Sequence, residues 1–557
     1  MKLEEQLQKL SLNDLLSLLS KRTVEVLQHL NYLENITSIK LSKIIIKRYG
    51  ENEFISNKKL KYKLISTLSK DEAKKLVEKI SNKKIKENYK FLKNCKCNKN
   101  SIELKIFRTF FEIKETEIKT EIKKKETFEI KKYNSNKTSS FYPLFQHQIT
   151  ACNDSLKFLK SDLNRAFLHM PTGSGKTRTA INVMCNLLRE NTKEFVIVWL
   201  AHTEELCNQA FTEFNKAWQI LGNQDIKIFK HFGGEKSNLN LIIDSSDKMP
   251  AVLFSSLTMM DLELSNNTSN LIKLSKNIGL VIMDEAHMTT AKTYKLIIEI
   301  LAPKGKAGVL GLSATPGRSY LDVNQDLELK DFYYGNKVTL KVEKNKNIIN
   351  WLIKKKYLAK AEMIPINFEA DLATLFTTNE INKEIDRIKS GRDYSKVFKD
   401  TISKDNERFA LILDIVKREN KFGDKIIVFA SSVNNAEALG DVLNIQGIKA
   451  ESITSNTPSE KRRNSIDEFK NSNRVNILIN YDVLTMGFDA PKAKVAIIAR
   501  PTTSIVLYHQ MIGRVSRGLK QKGNENCKIL TVLDTYLPGF RDLSDSFYFW
   551  EDIWDEA

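Results

Sequence analysis

Residues 170–177, MPTGSGKT, constrain this chain more than any other stretch. Ala166, Phe167 and Leu168 lead into them and a helix-like stretch follows from Arg178, an order of strand, glycine-rich loop and helix. Glycines at such a turn let backbone N–H groups point inward onto phosphate oxygens, at a helix N-terminus that already favours anions. Pro171, Thr172, Gly173, Ser174 and Gly175 would form the cradle, Lys176 would reach the β- and γ-phosphates, and the Thr177 hydroxyl would bind Mg²⁺. Met170 stands where the strict pattern has glycine, and in isolation a glycine-rich turn before an ordinary helix would look the same.

A second site removes that ambiguity. Gly279, Leu280, Val281, Ile282 and Met283 form a short apolar run fit for a buried parallel strand. Asp284, Glu285, Ala286 and His287 follow it, Asp284 lying 108 residues after Lys176 (284 − 176). Asp284 would hold Mg²⁺ through water, and Glu285 would position or deprotonate the attacking water. In-line phosphoryl transfer needs a metal to spread charge and a base to orient the nucleophile, so adjacent carboxylates at a strand end suit it. As four letters alone this is a weak signal that a solvated acidic turn would also give. Together the two sites point to hydrolysis of a nucleoside triphosphate.

From these residues onward the chain resembles a superfamily 2 helicase or translocase of the DEAH-box type, over residues from about 140 to about 535. Phe145-Gln146 lies upstream of the loop, where such proteins place a glutamine that reads adenine. Leu200-Ala201-His202-Thr203-Glu204-Glu205-Leu206 resembles motif Ia, Ser255-Ser256-Leu257-Thr258 motif Ib, and Ser313-Ala314-Thr315-Pro316 motif III. Ile427-Val428-Phe429-Ala430-Ser431-Ser432 resembles motif IV, Thr485-Met486-Gly487-Phe488-Asp489-Ala490-Pro491 motif V, and Gln510-Met511-Ile512-Gly513-Arg514-Val515-Ser516-Arg517 motif VI. Arg500-Pro501-Thr502, Leu507-Tyr508 and the run through Arg517 are most similar to RadD-type DNA repair ATPases, with restriction-enzyme motor subunits as near relatives. RadD-type proteins carry a further cysteine cluster near the C-terminus. Here Cys527 is the only cysteine after Cys207, so that module is expected to be absent.

The resemblance implies an α/β protein with two tandem RecA-like doubly wound parallel-sheet domains, preceded by a mainly helical basic N-terminal domain. It implies ATP and Mg²⁺ as cofactors, with Gly487 and Asp489 added to the nucleotide site. Gln510, Arg514 and Arg517 would act from the second domain, the arginines as fingers reaching the phosphates. Guanidinium stays charged at any working pH and its planar fork fits phosphate oxygens. Arginines three apart also suit a solvated basic helix face. Thr203, Ser256, Thr258, Ser431 and Thr485 would touch a nucleic-acid backbone, since hydroxyls suit phosphate contacts that fix register without reading sequence. Taken singly, each is as well explained as a cap or turn residue. Ser313, Ala314, Thr315 and His287 would couple the state of ATP to the grip.

At 557 residues the chain is long enough for several domains with proper cores. No apolar run approaches the ~18 residues of a membrane span, and Met1-Lys2-Leu3-Glu4-Glu5 has no signal-peptide layout. The six cysteines are scattered, with Cys95 and Cys97 the only close pair, which is poor evidence for zinc or a disulfide. A cytoplasmic location is expected. The net charge of +20 is uneven. Residues 1–140 hold 33 Lys+Arg and 18 Asp+Glu, a net +15, and the other 417 residues hold 55 and 50, a net +5. A basic patch gives salt-sensitive affinity for phosphate backbones. Nucleic-acid contact by this basic segment is therefore expected, with a solvated lysine-rich surface as the alternative.

The expected organisation is a basic accessory domain over 1–139, a first RecA-like domain over 140–345 and a second over 346–557. Within the accessory domain, residues 3–31 carry leucines at helical spacing, and helices are expected near 36–48 and 71–92, the latter after a capping signal at Ser69 with Asp71-Glu72. Over 102–133, Ile102, Leu104 and Ile106 alternate with polar residues, as do Phe111 and Ile113, then Phe128 and Ile130. This suggests β-hairpins, although Ile118 and Ile122 fit a helix equally well. Repeated Glu-x-Lys pairs there, such as Glu112/Lys114, would form half of a nuclease site, but no convincing upstream aspartate accompanies them. Trp351 to Leu358 reads as a helix leading into a strand at Met363-Ile364-Pro365-Ile366, residues 369–408 as a helical insertion, and Phe547, Tyr548, Phe549, Trp550 and Trp554 as an aromatic C-terminal tail that packs on the motor.

The expected function is an ATP-dependent nucleic-acid motor, on DNA in preference to RNA, in repair, remodelling or defence against foreign DNA. The alternatives are an RNA-dependent ATPase, and an ATP-gated DNA-binding sensor or scaffold that recruits a partner nuclease.

Overall fold

The computed structural model describes residues 2–81, 85–98, 101–113, 128–130, 143–315, 323–341, 347–390, 392–484, 490–540 and 543, with 128–130, 323–325 and 459 as backbone only. Its fold class is mixed α/β with two parallel sheets, as the sequence implies.

The first sheet contains β1 (Phe128–Ile130), β2 (Arg165–His169), β3 (Val196–Ala201), β4 (Ile226–Phe232), β5 (Glu235–Lys236), β6 (Ala251–Ser256), β7 (Ile278–Asp284), β8 (Gly308–Ser313) and β9 (Lys337–Val338). Their order is β1-β4-β6-β3-β7-β8-β2-β9, with β5 beside β4. The pairs from β4 through β9 are parallel, and β1 and β5 run antiparallel to β4. Every side chain of β3, β6 and β8 is buried. A central parallel strand is covered on both faces, so it reads as a continuous apolar run instead of an alternating one.

The remaining strands are β10 (Lys360–Phe368), β11 (Lys425–Phe429), β12 (Ala450–Ile453), β13 (Ile477–Asn480), β14 (Ala493–Ile498) and β15 (Asn526–Asp534). They form the second sheet in the order β10-β15-β14-β11-β13-β12. A helix, Ile348–Lys354, leads into β10, and helices occupy Thr378–Lys389 and Lys396–Ile402 between β10 and β11. No helix among the described residues is long and apolar enough to cross a membrane.

By internal packing the chain divides into two units that are discontinuous in sequence. One contains residues 1–124, 396–483 and 497–500, and the other 125–395, 484–496 and 501–557.

In the first unit the N-terminal part is a set of short helices. The leucine-rich stretch 3–31 is three helices, Leu3–Leu7, Leu12–Leu16 and Lys21–His29. Ser11 and Ser20 cap the second and third by accepting from Asp14 N and Thr23 N, so the chain restarts at each serine instead of running on. Helix Ser38–Tyr49 follows, and Ser69 and Glu72 form a reciprocal capping box on helix Lys70–Ile80. That helix stops at Ser81 and a separate one, Asn88–Asn94, replaces the single element expected to 92.

Residues 102–110 differ from the hairpin reading, because they form a helix. Ser101 Oγ accepts from Leu104 N at 3.2 Å, and Leu104, Phe107 and Phe111 are buried while Ile102 is 74% exposed. A 3.6-residue period, set by the cap and the large rings, outweighs the alternation of smaller residues. Phe128–Ile130 is a strand, but its partner is β4. Ile118, Ile122 and the aromatic tail lie outside the described residues.

This helical region is fastened to helix Val433–Ile445 by buried polar contacts. Arg48 donates to Asp441 and Glu437, and Thr23 Oγ1 donates to Asp441 Oδ2 at 3.0 Å. Arg22 donates to Asn406 Oδ1 at 2.7 Å and to the Asp405 carbonyl at 3.0 Å. Burial pushes Asp441 up to about 6, against the pull of Arg48. Breaking such a pair strands a buried charge, at a cost of about 3–5 kcal/mol.

Candidate nucleotide site

The strand order of the first sheet brings the two sequence sites together. β2 lies next to β8, and β8 next to β7, so the C-terminal ends of β2 and β7 stand about 10 Å apart. Met170 N donates to the Ser313 carbonyl at 3.1 Å where the chain leaves β2. Open parallel sheets place ligands at this edge.

The loop has the shape its glycines suggest. Gly173 and Gly175 adopt φ of +88° and +97°, which L side chains rarely tolerate. A Cβ on Gly173 would fall 2.5 Å from Arg517 Nη1, and one on Gly175 would fall 2.0 Å from Gln148 Nε2. Helix Lys176–Glu190 starts directly after Gly175, so its first N–H groups face the loop's concavity. Ser174 Oγ donates to the Pro171 carbonyl at 2.7 Å. Thr172 Oγ1 is buried without a hydrogen-bond partner among the described residues.

The charges converge on Lys176. Its ammonium pKa is lowered, by burial first and also by Arg514 and Arg517, while Glu285 and Asp284 oppose that shift. Asp284, 4% exposed, is pushed up to about 7 by burial and by Glu285, with Lys176 pulling the other way. Glu285 N donates to Asp284 Oδ1 at 3.1 Å. Glu285 itself has φ +56°, a left-handed conformation costing a non-glycine residue of order 1–3 kcal/mol. His287 Nδ1 lies 3.4 Å from Glu285 Oε2.

Arg514 and Arg517 follow helix Ile505–Ile512. Backbone bonds fix their segment: Ala359 N donates to the Ser516 carbonyl at 2.9 Å, and Asn524 N to the Arg517 carbonyl at 2.8 Å. Gly513 approaches Thr172 so closely that a Cβ there would meet its Cγ2 at 1.9 Å. Gln510 is 6% exposed on the same helix. The arginines therefore belong to the phosphate loop's surroundings, and the solvated helix face is set aside.

Three residues at the loop escaped the sequence reading. Gln148 donates to the Ser174 carbonyl at 3.0 Å and accepts from Phe145 N at 2.9 Å. Gln521 donates to the carbonyls of Gly173 and Tyr357. The Tyr357 ring lies 4.6 Å from both Phe145 and His147. Gln146 is exposed in the first turn of helix Gln146–Leu159.

The expected coupling residues stand at the same sheet edge. Ser313 ends β8, its Oγ accepts from Thr315 N at 3.2 Å, and Ala314 lies buried between them. Thr203 and Ser256 follow β3 and end β6, and each caps the next helix by accepting from Leu206 N and Met259 N. Thr258 is exposed. Ser431, in the other unit, is fully buried and accepts from Asn435 Nδ2 at 3.1 Å. Thr485, Gly487 and Asp489 lie outside the described residues.

The residues present fit a Mg²⁺-bound triphosphate: a left-handed glycine cradle, an orphaned buried hydroxyl, a cation within the field of two adjacent carboxylates, and guanidinium groups alongside. A parallel sheet carrying such a site defines the RecA-like class of phosphate-loop proteins. Within it, the chain is a superfamily 2 helicase-type protein related to restriction-enzyme motor subunits. The family described as "Type III restriction enzyme, res subunit" matches residues 141–318, and "Helicase conserved C-terminal domain" matches 407–518. The chain is 26% identical over 398 residues to "Putative ATP-dependent helicase IRC3" of Saccharomyces cerevisiae, covering 70% of this chain and 50% of that protein. It is 24% identical over 393 residues to "Type I restriction enzyme EcoAI endonuclease subunit" of Escherichia coli, covering 67% and 44%. The chain thus spans about half the length of these curated relatives. Among solved structures, "ATP-dependent Type ISP restriction-modification enzyme LlaBIII bound to DNA" shares the fold at TM-score 0.51 and 16% identity, over 73% of this chain and 29% of that one.

Proposed function

We propose that the chain is an ATP-hydrolysing nucleic-acid translocase or helicase that acts on DNA. The observation that carries this reading is the gathering of Lys176, Asp284, Glu285, Arg514 and Arg517 in one electrostatic site. Pro171, Thr172, Gly173, Ser174 and Gly175 cradle the phosphates, and Lys176 neutralises them. Thr177 and Asp284 would hold Mg²⁺, which would supply positive charge to spread that of the transferring phosphate. Glu285 orients and deprotonates the attacking water, with His287 beside it. Arg514 and Arg517 stabilise the charge that develops on the transferred phosphoryl group, and Gln510 supports them. Gly487 and Asp489 complete the nucleotide contacts. Ser313, Ala314 and Thr315 transmit the nucleotide state to a nucleic-acid grip at Thr203, Ser256, Thr258 and Thr485, whereas Ser431, fully buried and bonded to Asn435, is not placed to touch a polymer. The helix-capping bonds of Thr203 and Ser256 support backbone amides at those helix starts as the phosphate contacts. Gln148 holds the loop from beneath, next to Gln146 as the adenine-reading residue.

The matches to restriction-enzyme subunits favour DNA over RNA. Roles in repair, remodelling or defence against foreign DNA all follow from such a motor, and a partner nuclease would supply cleavage. The test is ATP turnover in the presence of single-stranded DNA, duplex DNA, forked DNA and RNA, each at two salt concentrations. One or more DNA forms should stimulate turnover, with a response that weakens as salt rises. Stimulation by RNA alone would replace DNA as the substrate, and no stimulation by any polymer would refute a motor.

A further inference from the structure

Helix Lys58–Ser66 of the N-terminal region buries a lysine that the motor does not use. Lys61 is 4% exposed, and its ammonium packs 4.8 Å from the centre of the Phe107 ring. Its polar partners are the Cys95 carbonyl and Cys97 Sγ, the latter at 3.4 Å. No carboxylate pairs with it among the described residues. A buried cation needs a counter-charge, and the group placed to supply one is the sulfur of Cys97. Both cysteines are only half-buried, so reagents can reach them.

We propose that Cys97 is a reactive thiolate, paired to Lys61 with Cys95 as its resolving partner, and that this corner of the helical region is a site of covalent modification by hydroperoxides. Cys97 Sγ attacks the peroxide oxygen, the O–O bond breaks, and the leaving alkoxide or hydroxide takes up a proton. Cys97 becomes a sulfenic acid and the peroxide is reduced to an alcohol or water. The Cys95 sulfur then attacks the sulfenyl sulfur, forming an S–S bond and releasing water. The electrostatics agree with the geometry. The hydrogen bond from Cys95 first, and Lys61 with it, hold the Cys97 thiol down at about 6 against burial and against Glu103, which faces both sulfurs from helix Ile102–Phe110. Cys95 is pushed the opposite way by the same hydrogen bond. The other four cysteines are buried, and burial raises each of them.

The test is site-resolved alkylation of the full chain by iodoacetamide across pH 5–10, read by peptide mass spectrometry. In the unaltered protein, labelling of Cys97 should rise with a midpoint near 6. In Lys61→Met the midpoint should climb toward the ordinary thiol value of about 8.5. Intrinsic nucleophilicity falls with pKa, so the rates at pH 7 should differ by only a few-fold and the midpoint is the decisive reading. Hydrogen peroxide should then produce a Cys95–Cys97 disulfide, and in Cys95→Ser a Cys97 sulfenic acid that dimedone captures. A Cys97 midpoint above 8 in the unaltered protein overturns the proposal without recourse to any variant. So does peroxide oxidation spread evenly over all six cysteines.

Discussion

Replacing Lys176 by alanine is expected to reduce ATP turnover by about 10³-fold or more, because two losses coincide. The first is the cation proposed to meet the β- and γ-phosphates at the start of helix Lys176–Glu190. The second is its effect on Asp284. Lys176 is the charge that lowers the Asp284 pKa, against burial and the neighbouring Glu285 carboxylate. Without it, Asp284 shifts further toward the protonated acid, which is a poor Mg²⁺ ligand at neutral pH. Steady-state hydrolysis with saturating DNA checks this. Normal turnover in the variant would dismiss the loop as the phosphate site.

Glu285→Gln is expected to separate binding from chemistry. The amide keeps the size of the side chain, and it can occupy the same left-handed backbone position at φ +56°. It cannot accept a proton from water, so the hydrolytic step should slow by about 10²- to 10⁴-fold while ATP stays bound. Single-turnover hydrolysis set against equilibrium nucleotide binding makes the distinction. Rapid hydrolysis by this variant would remove Glu285 from the chemistry.

The site was legible in the sequence where short segments determine their own geometry. A glycine loop between strand and helix, and carboxylates at the end of an apolar strand, announce their positions because parallel strands deliver their C-terminal ends to one edge. The contacts of Gln148 and Gln521 were not legible. Gln521 reaches Gly173 across 348 residues of sequence, and nothing local marks a glutamine in a helical turn as a partner of a distant loop. The N-terminal region erred for a related reason. Alternating Ile102, Leu104 and Ile106 carry a two-residue period, but the Ser101 cap and the burial of Phe107 and Phe111 favour a helical one. Its large positive charge gave no hint that Arg22 is consumed by contacts to Asp405 and Asn406, and Arg48 by contacts to helix Val433–Ile445, instead of facing a polymer.

The most direct measurement compares ATP affinity with the rate of the hydrolytic step in Arg514→Ala and Arg517→Ala. A guanidinium that acts on the transferring phosphate should leave ATP binding within a few-fold while the rate drops by about 10³- to 10⁵-fold. Hydrolysis at an undiminished rate in both variants would contradict the arginines' place at the triphosphate, and the motor reading with it.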